Sequence, residues 1–134
     1  MILLGIDYGA QRTGVAVSDP MGILASPVGV LHGSGLKKTA LEIAGIAKER
    51  RAEKIILGLP LRTDGTRGDK AQVCEHFAER LREVCGLPVE LWDERFTTVE
   101  AHRALHASGK RAKAHKPVVD AVAAVILLQS YLDR

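Results

Sequence analysis

The chain has no apolar run approaching the ~20 residues that a membrane-spanning helix needs, which argues against a membrane role. Met1 to Asp7 carries neither a basic stretch nor a small-residue cleavage site, so no secretory signal is read there and a cytoplasmic protein is expected. Only two cysteines are present. Cys74 and Cys85 fall in one expected helix, and a rise of ~1.5 Å per residue separates them by about 16 Å, too far for a mutual disulfide. Neither has metal-ligand spacing, so both read as thiols of a reducing compartment. Repeats, low-complexity tracts and linkers are absent. So is a P-loop, and Gly5, Gly9 and Gly14 do not form a dinucleotide fingerprint. One absence is local: no acid lies between Glu100 and Asp120, while Arg103, Lys110, Arg111, Lys113 and Lys116 all do. His102, His106 and His115 add charge there below neutral pH.

With 134 residues, the chain fits one domain spanning 1–134 with one core. Hydrophobic residues make up 46% and charged residues 26%, ordinary for a globular protein that needs no staples. The net charge of +3 says little by itself, but the cationic segment after Glu100 suits contacts to phosphate. The alternative for that segment is a solvated loop.

The pattern opens with three extended segments, Ile2 to Asp7, Thr13 to Ser18 and Pro27 to Leu31, separated by glycines and spaced as an antiparallel meander. Leu36, Ala40, Ile43, Ala44 and Ala47 mark one face of a helix from Leu36 to Arg50, with Ser34 or Gly35 as its cap. Lys54 to Leu59 reads as a short apolar strand, and Pro60 to Gly68 as a polar loop. A second helix runs from Asp69 to Cys85, with Val73, Phe77, Leu81 and Val84 facing inward and Gly86 as its stop. Pro88 to Trp92 is a fifth strand. Thr97 to Glu100 has the spacing of a capping box opening a helix that ends near Gly109, and Pro117 starts a last helix reaching Leu132. Strands preceded by helices lie parallel to the first strand, so the order predicts an α/β protein: a mixed five-stranded sheet with helices on both faces.

Three acids stand where packing alone would not put them. Asp7 ends an apolar strand. Asp93 and Glu94 follow the fifth strand, and strand alternation does not decide between them. Asp120 lies in a helix otherwise rich in Val, Ile and Leu. If the first and fifth strands are parallel, their acids emerge at one sheet edge, where ligand sites of such sheets favour the carboxyl ends of strands. Carboxylates gathered in a partly buried place repel one another and lose hydration, so they must be protonated or neutralised by a cation. Mg²⁺ or Mn²⁺ suits such oxygen ligands, and two ions can activate water and stabilise the leaving oxygen of a phosphodiester. Taken singly, each acid also reads as a turn, a cap or a backbone-bonded side chain.

The stretches Gly5-Ile6-Asp7-Tyr8-Gly9 through Asp19, Gly58-Leu59-Pro60-Leu61 with Asp64-Gly65-Thr66, Leu91-Trp92-Asp93-Glu94-Arg95-Phe96-Thr97-Thr98-Val99-Glu100-Ala101, and Val119-Asp120-Ala121-Val122-Ala123-Ala124 with Leu128-Gln129-Ser130-Tyr131-Leu132 follow one another in order. Together they resemble the YqgF/RuvX family over nearly the whole chain. The resemblance implies an RNase H-like fold and a metal-dependent nuclease, described for the family both as a Holliday junction resolvase and as a nuclease maturing the 5′ end of pre-16S rRNA. It implies Asp7, Glu94 and Asp120 as the catalytic and metal-binding acids, and leaves Asp93 to support them from behind. Gln11 departs from the family, which often carries Lys there.

On this reading two Mg²⁺ or Mn²⁺ ions serve the site, with Asp7 bridging them and Glu94 and Asp120 each holding one side. Arg12, Arg95 and Lys116 would hold phosphates near the site, and the loop bearing Arg62 and Arg67, with Lys110, Arg111 and Lys113, would guide the strand. The alternative for Arg95 is an ion pair with Glu94 or Glu100. The expected partner is nucleic acid, pre-rRNA or branched DNA, with rRNA maturation preferred. Junction resolution would require two sites and hence a homodimer. Two further readings are a non-catalytic nucleic-acid binder and an ATP-binding relative of sugar kinases and actin; the length and the missing P-loop count against the latter. His102 and His106 read as surface residues and Trp92 as core.

Overall fold

The computed structural model describes residues 1–33, 35–96 and 116–134, with the side chains of residues 96 and 116–120 not described. Its strands are β1 (Leu3–Asp7), β2 (Arg12–Ser18), β3 (Ala25–His32), β4 (Lys54–Leu59) and β5 (Val89–Asp93), and its helices are α1 (Leu36–Arg50), α2 (Asp69–Cys85) and α3 (Lys116–Leu132). A 3-10 turn, Glu94–Phe96, follows β5. The helix expected from Thr97 to Gly109 lies outside the described residues.

The strands form one sheet in the order β3-β2-β1-β4-β5. The meander β1-β2-β3 is antiparallel, while β4 runs parallel to both β1 and β5. The mixed sheet expected from the sequence is therefore the one observed. Its central strands are buried on both faces, which is why they read as continuous apolar runs rather than as alternating ones. Successive side chains of a strand point to opposite faces. Leu4 and Ile6 of β1, with Ile55 and Leu57 of β4, pack beneath α1 and α2 against Ile43, Phe77 and Leu81. Leu3 and Ile56 face the other way, onto Ala124, Leu128 and Tyr131 of α3.

Two devices seat α3. Gly5 lets it approach β1: a Cβ there would fall 2.6 Å from Leu128 Cβ and 3.2 Å from the Ala124 carbonyl oxygen. Gln129 then ties the helix to the β2–β3 connection, accepting from Ala25 N at 2.9 Å and donating to the Ile23 carbonyl at 2.9 Å. Trp92 is a packing residue as expected. Its ring meets Tyr131 edge-on at 5.2 Å, and its Nε1 donates to Ser130 Oγ at 3.2 Å.

Both complete helices keep the bounds expected of them. Gly86, at φ 67°, stops α2 in the left-handed region. Gly35 precedes α1 without a side-chain cap bond. One inward assignment is overturned: Val73 is 45% exposed. The buried face of α2 is Ala71, Cys74, Phe77, Ala78 and Leu81, so the stripe passes through Cys74 instead of its apolar neighbour. Cysteine packs as a small hydrophobe, and its place on the stripe rotates Val73 out of the core. Both cysteines are free thiols.

Candidate active site

Because β1, β4 and β5 are parallel, their carboxyl ends share one edge of the sheet. The register sets Ile6 beside Leu57, and Gly58 beside Trp92. Asp7, the last residue of β1, and Glu94, the first after β5, therefore flank the end of β4. Strand β4 lies between them, and Gly58 removes the obstacle. A Cβ on Gly58 would fall 3.0 Å from both Cγ and Cδ of Glu94 and closer still to Oε1. With only hydrogens there, the Glu94 side chain crosses β4 and its carboxyl hydrogen-bonds that of Asp7.

Burial is the main cause that lifts both carboxyls above their ordinary range. Glu94, additionally repelled by Asp7 and Asp93, is pushed up to about 8, with the Lys70 ammonium acting weakly the other way. Each acid's ionisation opposes the other's, so the two lose their protons as a pair rather than independently.

The pair opens into a cavity of about 650 Å³, whose other walls include Tyr8, Gln11, Lys70, Val73 and Cys74. Tyr8 stacks on Phe77, with ring centroids 4.0 Å apart, and so fixes this wall to the core. The Cys74 thiol is driven up to about 12 by burial and by the neighbouring carboxylates Glu94, Asp7 and Glu75. It stays protonated and is unsuited to act as a nucleophile.

Asp93 turns away from this pair. Its carboxylate takes the Arg95 guanidinium at 2.7 to 3.2 Å and the Arg95 backbone N–H at 2.9 Å, which holds it below the usual carboxylate range. Arg95 is thus ion-paired, but with Asp93 rather than with Glu94, and it lies over Gly65 of the loop after β4. Arg67 is paired with Glu75 at 2.7 Å. Arg62 lies beside Gly68, and Arg12 is exposed at the start of β2. Among the described residues, none of these four arginines lines the cavity. Lys110, Arg111 and Lys113 lie outside the described residues, as do the side chains of Lys116 and Asp120. The backbone of Asp120 belongs to α3, one helical turn before Ala124, which touches β1 at Gly5.

Among the described side chains, no third His, Cys, Asp or Glu completes a metal-binding group with Asp7 and Glu94. Sequence reasoning missed two residues of this site. Gly58 carried a usable signal, because a glycine inside an apolar strand marks a close approach. Lys70 carried almost none, being one lysine on an amphipathic helix.

A mixed five-stranded sheet of this order with helices on both faces is an RNase H-like fold. The fold matches T. thermophilus RuvC in complex with a Holliday junction substrate at a TM-score of 0.61, with 14% identity over 97% of this chain and 91% of that one. It matches the fowlpox virus resolvase in complex with Holliday junction DNA at 0.56, with 12% identity over 99% and 97%. The model of the RuvX family, described as Holliday junction resolvase, matches residues 1–134, and the chain belongs to that family. A relative from Syntrophomonas wolfei is 42% identical over 133 residues, 99% of this chain and 94% of its own. One from Clostridium novyi is 44% identical over 134 residues, 99% and 98%. Both bear the name "Putative pre-16S rRNA nuclease". The family is one of nucleases, hydrolases acting on nucleic acid. No described helix is long and apolar enough to cross a membrane.

Proposed function

We propose that the protein hydrolyses phosphodiester bonds of structured nucleic acid with Mg²⁺ or Mn²⁺, and that its task is maturation of the 5′ end of pre-16S rRNA in the cytoplasm. The observation that carries the reading is the meeting of Asp7 and Glu94 across Gly58 at the mouth of the cavity. Two half-buried carboxyls whose ionisation is disfavoured form a site that a hard divalent cation would favour by neutralising their charge. Their donors are all oxygen, which fits Mg²⁺ and Mn²⁺. Asp7, Glu94 and Asp120 are the residues that would hold the ions. When bound, two such ions supply an activated water and charge neutralisation at the leaving oxygen. The chain's own part is to keep the two carboxyls at a fixed separation, to wall the site with apolar surface and to leave the cavity open to a strand. The rRNA substrate is supported by the names of relatives that match nearly the whole chain at over 40% identity.

A second reading, junction resolution, is favoured by the description of the matching family model. It requires paired cuts and therefore a symmetric dimer.

The test is a side-by-side cleavage assay on a pre-16S leader RNA, an unstructured single-stranded RNA and a four-way DNA junction, with each metal, and with Asp7→Asn as the control. RNA products alone support rRNA maturation. Symmetric nicks in the junction alone transfer the assignment to resolution. Metal-stimulated cleavage surviving in Asp7→Asn rejects the site.

A further inference from the structure

A carboxylate pair attracts cations but repels the strand it is meant to cut, so something near it must attract phosphate. Arg95 is committed to Asp93 and Arg67 to Glu75, and Arg12 does not line the cavity. Gln11, on the cavity wall, is neutral. Among the described residues, Lys70 is the only cation that lines the cavity shared by Asp7 and Glu94. It makes no ion pair with any described residue, and its side chain is exposed. Its position also runs against the preference of its own helix. Lys70 is the second residue of α2, where the helix dipole disfavours a positive charge. A residue that local structure disfavours, and that no described acid pairs with, points to a ligand.

Resting on the nuclease reading above, we propose that Lys70 binds a backbone phosphate of the nucleic-acid strand crossing the Asp7–Glu94 cavity. The contact is to phosphate and so reads no sequence; it fixes where the strand sits along the cavity. Lys70 lines the same cavity as the acids and acts electrostatically on Glu94, so a backbone phosphate held by its ammonium would keep the strand beside the catalytic edge.

The test measures binding apart from cleavage. Anisotropy of a labelled single-stranded RNA and of a four-way DNA junction is recorded in the Asp7→Asn background in EDTA, from about 50 to 200 mM salt. Lys70→Ala should weaken both by roughly three- to tenfold and lower the slope of log affinity against log salt by about 1, while Lys70→Arg keeps the slope. In the active enzyme, Lys70→Ala should raise KM by the same factor and leave kcat within about twofold. Lys48→Ala, on the exposed face of α1, is the control and should leave the slope unchanged. An unchanged slope in Lys70→Ala, an equal loss in Lys48→Ala, or a fall in kcat at constant KM overturns the proposal. If the wild type cleaves and Lys70→Ala behaves identically, this inference fails alone. If Asp7→Asn still cleaves while Lys70→Ala loses its slope, the assignment of the acids fails and the phosphate contact stands. A wild type that binds neither probe sinks both.

Discussion

Asp7 and Glu94 illustrate how a residue's chemistry is set by what it is made to face. Each would be an ordinary surface acid in an unfolded chain. Brought together partly out of water, each holds its proton to a higher pH than it would in solution, and this has a defined sign. Glu94 rises from an ordinary 4.5 to about 8, so its contribution to stability is fully present below its unfolded value and is lost as the pH climbs towards 8. In EDTA, the thermal midpoint should therefore fall between about pH 5 and pH 8, and Glu94→Gln should flatten that fall; a profile identical to wild type would contradict the raised Glu94 carboxyl. Magnesium should reverse the trend, raising the midpoint more at pH 8 than at pH 5, because the ion binds only the ionised pair. Asp7→Asn should fold normally yet lose roughly a thousandfold or more in cleavage rate, since an ion site of this kind supplies several kcal/mol to the transition state. Circular dichroism and initial rates on one preparation decide this. Cys74 is lifted by the same main cause but takes no chemical part: with its thiol at about 12, Cys74→Ala should retain cleavage, and folded protein at neutral pH should resist alkylation at this position.

Strands and helices matter here through the space they leave. Strand β4 separates the two acids, and only the bare backbone at Gly58 allows their side chains to meet. Gly58→Ala places a methyl group against Glu94, so cleavage should fall by about 10- to 100-fold, as when support for a metal ligand is lost, with a stability cost of roughly 1–3 kcal/mol from overpacking. Urea denaturation separates the two effects. Gly5→Ala acts on another element. Its Cβ meets Leu128 and the Ala124 carbonyl, so α3 must move away from β1, and the same helix carries Asp120. A destabilisation of about 1–3 kcal/mol accompanied by lost cleavage is expected. Full activity in this variant would show that the seating of α3 on β1 does not serve the site.

Across the whole molecule, the sheet is a partition. One face holds α1, α2 and the larger apolar cluster, the other holds α3, and the edge between them, where three parallel strands end, is left for chemistry. A site built at that edge draws on β1, β5 and α2, elements far apart in sequence, so it should be lost in one step with global unfolding. Cleavage activity and far-ultraviolet dichroism should share a single urea midpoint; activity lost at distinctly lower urea would mean that the edge opens independently.

Much of this was legible without coordinates. Helices α1 and α2 kept their expected bounds because apolar periodicity and a terminal glycine are local signals, and the parallel placement of β4 and β5 followed from the helices that precede them. The strand-end position of Asp7 and the place of Glu94 after β5 were visible for the same reason. What residue order left open was decided by neighbours remote along the chain. Glu94 meets Asp7 because β4 lies between them with no side chain at Gly58, while Asp93, one residue earlier, turns to Arg95. Val73 leaves the core because Cys74 takes its place on the buried stripe of α2, and Lys70 reaches the site because the start of α2 and the end of β1 line one cavity. Period and capping are written in neighbouring residues, whereas the company a side chain keeps depends on long-range packing, which only the folded chain specifies.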